Sequence, residues 1–253
     1  MKQFLLPRWY AGQARISISG DDYHYLARVL RLQSGDKLPA LDAQGARYIM
    51  TLSAMSHSGC EAEISPVPAV TTGPVSPALT LLQCLPKGKK IDQIVRQATE
   101  AGVSRIVLLE GERSVAKATE DEGRMKRLSK IAREALQQSG GLRLPSIEPP
   151  RPLASLLNAA DEWGTALFFH EERISGSGTL HGLLSGKLER ISILIGPEGG
   201  LSPSEVALLS AVGFHAVCLG EAVLRVETAA IYAIAAVQTI LQERDAWTTA
   251  NGK

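Results

Sequence analysis

The sequence predicts a two-domain protein, with a small β-rich N-terminal domain followed by an α/β domain on a largely parallel sheet. Three observations carry this. Short apolar runs, several alternating at period two, fill residues 15 to 64. A proline-rich stretch interrupts the chain at 65 to 77. From Ala78 onward, continuous apolar runs alternate with amphipathic helical stretches, the pattern of strands covered by helices on both faces. At 253 residues and 45% hydrophobic, the chain can fill two modest cores without disulfide staples.

In the N-terminal region, Arg15-Ile-Ser-Ile-Ser19 alternates as a strand. Asp36 to Leu41 and Ala46 to Leu52 flank the turn sequence Asp42-Ala-Gln-Gly45, and Cys60 to Ile64 follows. Between the first two strands, residues 21 to 32 predict a helix with Tyr25, Leu26, Val29 and Leu30 on one face. The stretch Ser65 to Pro77 holds four prolines, which neither continue a helix nor sit in a central strand, so it reads as a linker.

The second region has apolar runs at Leu79 to Cys84, Arg105 to Leu109, Thr165 to Phe169, Ile191 to Ile195 and Ala216 to Leu219. Ile91, Ile94, Val95 and Ala98 form a helical stripe stopped by Gly102. Thr119 to Glu122 is a capping-box sequence opening a helix lined by Met125, Leu128, Ile131, Ala132, Ala135 and Leu136. Ser202-Pro-Ser-Glu205 repeats the device, with proline in the first turn. The last helix, from about Thr228 to Glu243, is apolar nearly all round, which fits burial in a core or against another chain.

Several chemistries lack their residues. The cysteines, Cys60, Cys84 and Cys218, form no C-x-x-C pair, and the five histidines are scattered without ligand spacing, so neither a disulfide framework nor a zinc site is expected. Lys87-Gly-Lys-Lys90 lacks the earlier glycine of a phosphate-binding P-loop. Gly176 to Gly182 has its third glycine one place late for a dinucleotide turn and reads as a polar loop. Pro7 and Arg8 interrupt the first apolar stretch, and no run is long enough to span a bilayer, so a cytoplasmic protein is expected. Net charge is only +1, but residues 1 to 40 hold six Lys/Arg against three Asp/Glu and residues 86 to 143 hold thirteen against eight. Such segregation can build a phosphate-attracting surface on a nearly neutral molecule, and solvated helix faces would explain it equally.

Two strand-to-helix loops stand out. Gly196-Pro-Glu-Gly-Gly200 follows a buried strand and leads into the helix capped by Ser202. Its glycines would let backbone amides approach a ligand, although a tight turn alone explains them as well. One strand later, Leu219-Gly-Glu-Ala-Val-Leu-Arg-Val-Glu-Thr228 places Arg225 and Glu227 at the mouth of a very apolar helix, where charge must be paired or used. The helix dipole accounts for Glu227 but leaves Arg225 unexplained.

Together these residues resemble the SPOUT superfamily, and within it the bacterial 16S rRNA uridine N3-methyltransferases. The resemblance spans nearly the whole chain, through Val29-Leu-Arg-Leu-Gln-Ser-Gly-Asp36, Lys87-Gly-Lys-Lys-Ile-Asp-Gln-Ile94, Thr99-Glu-Ala-Gly-Val103, Gly111-Glu-Arg-Ser114, Gln138-Ser-Gly140 and the two loops above. It implies a PUA-like RNA-binding domain at 1–70, a linker at 71–78 and a SPOUT methyltransferase domain at 79–253 with a deep trefoil knot, a homodimer through that domain, and 16S rRNA or the small ribosomal subunit as partner. It implies S-adenosyl-L-methionine held by Phe169, His170, Ile195, Gly196, Glu198, Gly199, Gly200, Leu219, Gly220, Val223 and Leu224, with Arg225, Glu227 and Thr228 near the target base. On this reading Arg225 stabilises charge on the uracil, and Glu227, or alternatively Glu198, accepts its proton. Arg8, Arg15, Arg28 and Arg31, with the basic group Lys87, Lys89, Lys90, Arg113 and Arg143, would hold phosphates. The chain departs from the family pattern at Gly141, where arginine is usual, at Gln97, where lysine is common, and at Ala101, where leucine is common.

Overall fold

The computed structural model describes residues 2–68, 77–115, 121–174 and 177–250, with only the backbone at 159–160 and 244–250. Most of the proline-rich stretch, Thr119 and Glu120 of the first capping box, and Gly176 lie outside the described residues. The chain divides into two compact units, Met1–Gly73 with Leu136–Leu144, and Pro74–Ala135 with Pro145–Lys253.

The first unit is a five-stranded sheet in the order β1 (Phe4–Leu5), β3 (Lys37–Leu41), β4 (Arg47–Met55), β5 (Gly59–Pro66), β2 (Arg15–Ser19). All pairs are antiparallel except β1 with β3. The period-two alternation does what it predicts: in β2, Ile16 and Ile18 face a core with Phe4, Leu38, Met50, Leu52 and Ile64, while Arg15, Ser17 and Ser19 face solvent.

The expected helix at 21 to 32 is instead one turn of α1 (Gly20–His24) running into a wide π turn at Tyr25–Val29, closed by Leu30 N–H donating to Tyr25 O at 2.9 Å. The extra residue rotates the stripe. Leu26 is fully buried, Tyr25 and Leu30 pack partly on the core, and Val29 turns out to 56% exposure. Residues Leu136–Leu144 belong to this unit because the buried Gln3 donates from Nε2 to Leu136 O (3.2 Å) and Gly141 O (2.7 Å), and its amide donates to Gln137 O at 2.9 Å.

The second unit is a six-stranded, wholly parallel sheet. Its order is β11 (His215–Val217), β9 (Thr165–Phe169), β10 (Arg190–Ile195), β6 (Ala78–Cys84), β7 (Arg105–Glu110), β8 (Ser146–Pro152). Continuous apolar strands fit because both faces are covered: along β6, Leu79 and Leu81 enter one core while Leu82 and Cys84 enter the other. The first core is covered by α2 (Lys90–Glu100), α3 (Glu122–Ser139) and α6 (Val226–Ala250); the second by α5 (Pro203–Ala211) and a 3-10 stretch at Leu153–Glu162.

β8 had no sequence signal, because Pro149, Pro150 and Pro152 argue against a strand. It lies at the sheet edge, where missing N–H donors do no harm and discourage further pairing. The helix α6 buries Ala230, Ala233, Ile234, Val237 and Ile240 and leaves Thr228, Tyr232, Ala235 and Thr239 outward. No helix among the described residues is long and apolar enough to cross a membrane.

Candidate active site

The order β11-β9-β10 sets the carboxyl ends of three parallel strands side by side, and the loops that follow them open on one cavity of about 320 Å3. Open α/β sheets hold ligands in this crevice, and small-molecule sites start at about this size. The β9 loop contributes Phe169, His170 and Glu171; the β10 loop Ile195, Gly196, Pro197, Glu198, Gly200 and Leu201; the β11 loop Leu219, Gly220, Ala222, Val223, Leu224 and Arg225. Val226 and Ala229 of α6 and Lys90 of α2 complete the wall.

The β10 loop is tied at almost every residue. Gly200 N–H donates to Pro197 O at 2.9 Å, and Gly200 sits at φ +69°, which a side chain adopts only with strain. The Glu198 carboxylate accepts the Lys87 amide at 3.0 and 3.2 Å and Lys90 Nζ at 2.8 Å. Arg113 Nη1 donates to Gly199 O at 2.8 Å. The capping box closes both ways: Ser202 Oγ accepts Glu205 N–H at 3.2 Å and Glu205 Oε2 accepts Ser202 N–H at 2.8 Å, while Oε1 accepts the Glu112 amide at 2.8 Å. The buried Glu205 carboxylate thus anchors the loop's exit to the segment after β7.

Charge clusters on one side of the cavity. Lys90 Nζ lies 2.8 Å from Glu198 Oε1 and 3.7 Å from Glu227 Oε2. Burial pushes the Glu198 carboxyl up, but hydrogen bonds from Lys90 and from the backbone amides of Glu198 and Lys87, with the Lys90 charge, outweigh it and hold its pKa below the usual value. Its hydrogen bond to Glu198 and the neighbouring carboxylate charges raise Lys90 against the opposing effect of burial. Glu227, in the first turn of α6, has only 15% of its side chain exposed, and its Oε2 finds no hydrogen-bond partner among the described residues.

Of the residues expected at the cofactor, all line the cavity except Gly199. Its carbonyl is turned to Arg113, and a Cβ there would meet the Arg113 side chain at 3.2 Å. Among the catalytic candidates, Arg225 and Glu198 are in the wall; Glu227 is not, although its chain neighbour Val226 is. Arg8, Arg28 and Arg31 are exposed on the first unit, Arg31 at φ +56°, and Arg143 joins that unit, although sequence proximity had grouped it with the basic segment of the second. Lys87 and Lys89 are exposed on the second unit, while Arg113 spends its guanidinium on the β10 loop. Lys90, read from sequence as a phosphate contact, is instead a cavity residue. The signal that could have found it is that α2 follows β6, the neighbour of β10, and that requires the strand order.

Residues 74–238 match the RNA methyltransferase domain family, and residues 18–65 match the RNA methyltransferase PUA domain family. The chain is 30% identical over 236 residues to ribosomal RNA small subunit methyltransferase E of Mycobacterium bovis, covering 90% of this chain and 88% of that protein. It superposes with a TM-score of 0.82 on the Neisseria gonorrhoeae ribosomal RNA small subunit methyltransferase E bound to S-adenosyl methionine, at 28% identity over 95% of this chain and 98% of that one. A Legionella pneumophila methyltransferase in complex with the same cofactor gives 0.81, at 25% identity over 94% and 96% of the two chains.

Proposed function

The chain belongs to the SPOUT family of RNA methyltransferases, and from that premise we propose that it methylates N3 of a uridine in the decoding region of 16S rRNA with S-adenosylmethionine. The observation that carries the reading is the single cavity made by the three loops at β9, β10 and β11, with Arg225 in its wall. Its residues suit the cofactor: Phe169, Ile195, Leu219 and Leu224 offer apolar surface to an adenine, the glycine-bearing β10 loop brings backbone groups close, and Glu171 offers negative charge to a sulfonium.

S-adenosylmethionine held there would supply an electrophilic sulfonium methyl, which N3 of the uracil can accept only by giving up its own proton to a base. The protein's part is electrostatic and protolytic. Arg225, fixed at the threshold of α6 by its carbonyl accepting Ala229 N–H at 2.7 Å, presents its guanidinium to the uracil carbonyl oxygens as negative charge develops. Glu227 is the better proton acceptor than Glu198, because the Glu198 carboxylate already accepts the Lys87 amide and Lys90, whereas Glu227 keeps an unbonded oxygen. As Glu227 is not itself in the wall but follows Val226, which is, it receives the proton through one water.

Exposed Arg8, Arg28, Arg31 and Arg143 on the first unit, and Lys87 and Lys89 on the second, hold RNA phosphates, so binding weakens steeply with salt. The outward face of α6, Thr228, Tyr232, Ala235 and Thr239, carries no charge and suits a second copy of the chain. The knot expected of the family is supported by the superposition on the Neisseria enzyme. A cytoplasmic location follows from an rRNA substrate.

The test is reverse transcription across 16S rRNA from cells with and without the protein. N3 methylation blocks the Watson–Crick edge, so the stop in the decoding region should vanish with the protein; its persistence would refute the substrate.

A further inference from the structure

We infer that Lys90 is a positioning residue that stands between Glu198 and Glu227, bonded to the first and so leaving Glu227 with an uncommitted carboxylate oxygen; this rests on the reading above that Glu227 takes the uracil proton. The geometry is unequal. Lys90 Nζ is within hydrogen-bond length of Glu198 Oε1, at 2.8 Å, but 3.7 Å from Glu227 Oε2, beyond ordinary hydrogen-bond length. An oxygen of Glu227 is therefore buried, near a cation and unbonded. A buried acceptor left unpaired is costly, so the arrangement needs a reason beyond folding. A proton acceptor is such a reason.

One ammonium between two carboxylates leaves one net negative charge. The Glu198 oxygens are taken up by Lys90 and by the Lys87 amide, whereas Glu227 Oε2 has no bonded partner among the described residues. Removing the lysine would take the shared cation from both carboxylates; bonding it to Glu227 instead would occupy the oxygen that is left free.

The charged and titratable groups around this cavity are Lys90 from α2, His170 and Glu171 from the β9 loop, Glu198 from the β10 loop and Arg225 two residues before Glu227. Lys90 alone among them lies within ion-pair distance of both Glu198 and Glu227.

The experiment measures initial methyl-transfer rates against pH, at saturating S-adenosylmethionine, on small ribosomal subunits from cells lacking the protein. Loss of activity on the acidic side reports protonation of the acceptor. Lys90→Met removes the opposite charge, raises the acceptor's pKa and should move the acidic limb up by about one pH unit. Glu198→Gln, which can still accept the Lys87 amide, releases Lys90 to Glu227 and should move the limb down. Lys90→Arg should restore the wild-type limb. Opposite shifts from the two variants support the inference, since a merely structural tie would lower the rate without moving either limb. Limbs that stay put, or move together, overturn it. Glu227→Gln separates the two readings. If that variant keeps the wild-type rate, the proton-acceptor assignment itself falls. If it is inactive while the limbs fail to diverge, only the role of Lys90 falls.

Discussion

The loops after β10 and β11 carry equally specific sequence signals and meet at the same cavity, yet they are held in opposite ways. The β10 loop has its Glu198 carboxylate on the Lys87 amide and Lys90, its Gly199 carbonyl on Arg113, and its exit clamped by the buried Glu205. Among the described residues the β11 loop has fewer and weaker side-chain ties, Cys218 Sγ to Gly220 O at 3.2 Å and to Glu171 O at 3.6 Å; Arg225 O accepts Ala229 N–H at 2.7 Å where the loop enters α6, and Val223 stands 75% exposed at the cavity rim. A loop whose polar groups are already satisfied is preorganised and loses little freedom when a ligand arrives. One that presents apolar side chains to solvent gains its partners only from the ligand. On the function proposed above, the first loop sets position and the second delivers Arg225.

The largest expected effect tests delivery. Arg225→Ala should lower the methyl-transfer rate by about 100-fold or more while leaving cofactor affinity by calorimetry and the thermal midpoint near wild type. Full activity would remove Arg225 from the chemistry and leave the β11 loop as cofactor cover only.

Glu205→Ala comes next and tests the clamp. It strands the Ser202 and Glu112 amides and should cost about 2 to 3 kcal/mol in urea unfolding. A loss under about 0.5 kcal/mol, the size of an ordinary surface change, would mean the β10 loop is not held from this end.

Gly200→Ala should cost about 1 kcal/mol, because a Cβ there meets nothing closer than 3.8 Å and the penalty is the positive φ alone. Cofactor affinity should fall with it, since the turn shapes the wall. Smallest is Val223→Ser. The side chain is exposed, so folding stability should change by less than about 0.5 kcal/mol, while cofactor binding weakens measurably. If Val223→Ser instead destabilised the fold and left binding intact, the contrast between the loops would be reversed.

Much of the frame was legible because it rests on local physics. The alternation in β2, the continuous runs of β6, β7, β9 and β10, and the Ser202 capping box are written in neighbouring residues and appear as read. Where the reading failed, the cause was geometry beyond the local window. The π turn at Tyr25–Val29 rotated Val29 off the core. The prolines of β8 became admissible only because that strand is at an edge. Arg143 joined the first unit through the turn that the buried Gln3 holds.

For the site, the sequence by itself determined the two glycine-bearing and charged loops and their place after strands, because motifs are contiguous. It also supplied Arg225, Glu227 and Glu198 as candidates. Only the tertiary structure decided which of them face the cavity, that Glu198 is committed to Lys87 and Lys90, and that Lys90 belongs to the site at all. Lys90 and Glu198 are 108 residues apart, and Lys90 is separated further still from Glu227. Such a pairing depends on the order in which parallel strands are laid side by side, and no spacing along the chain encodes that order.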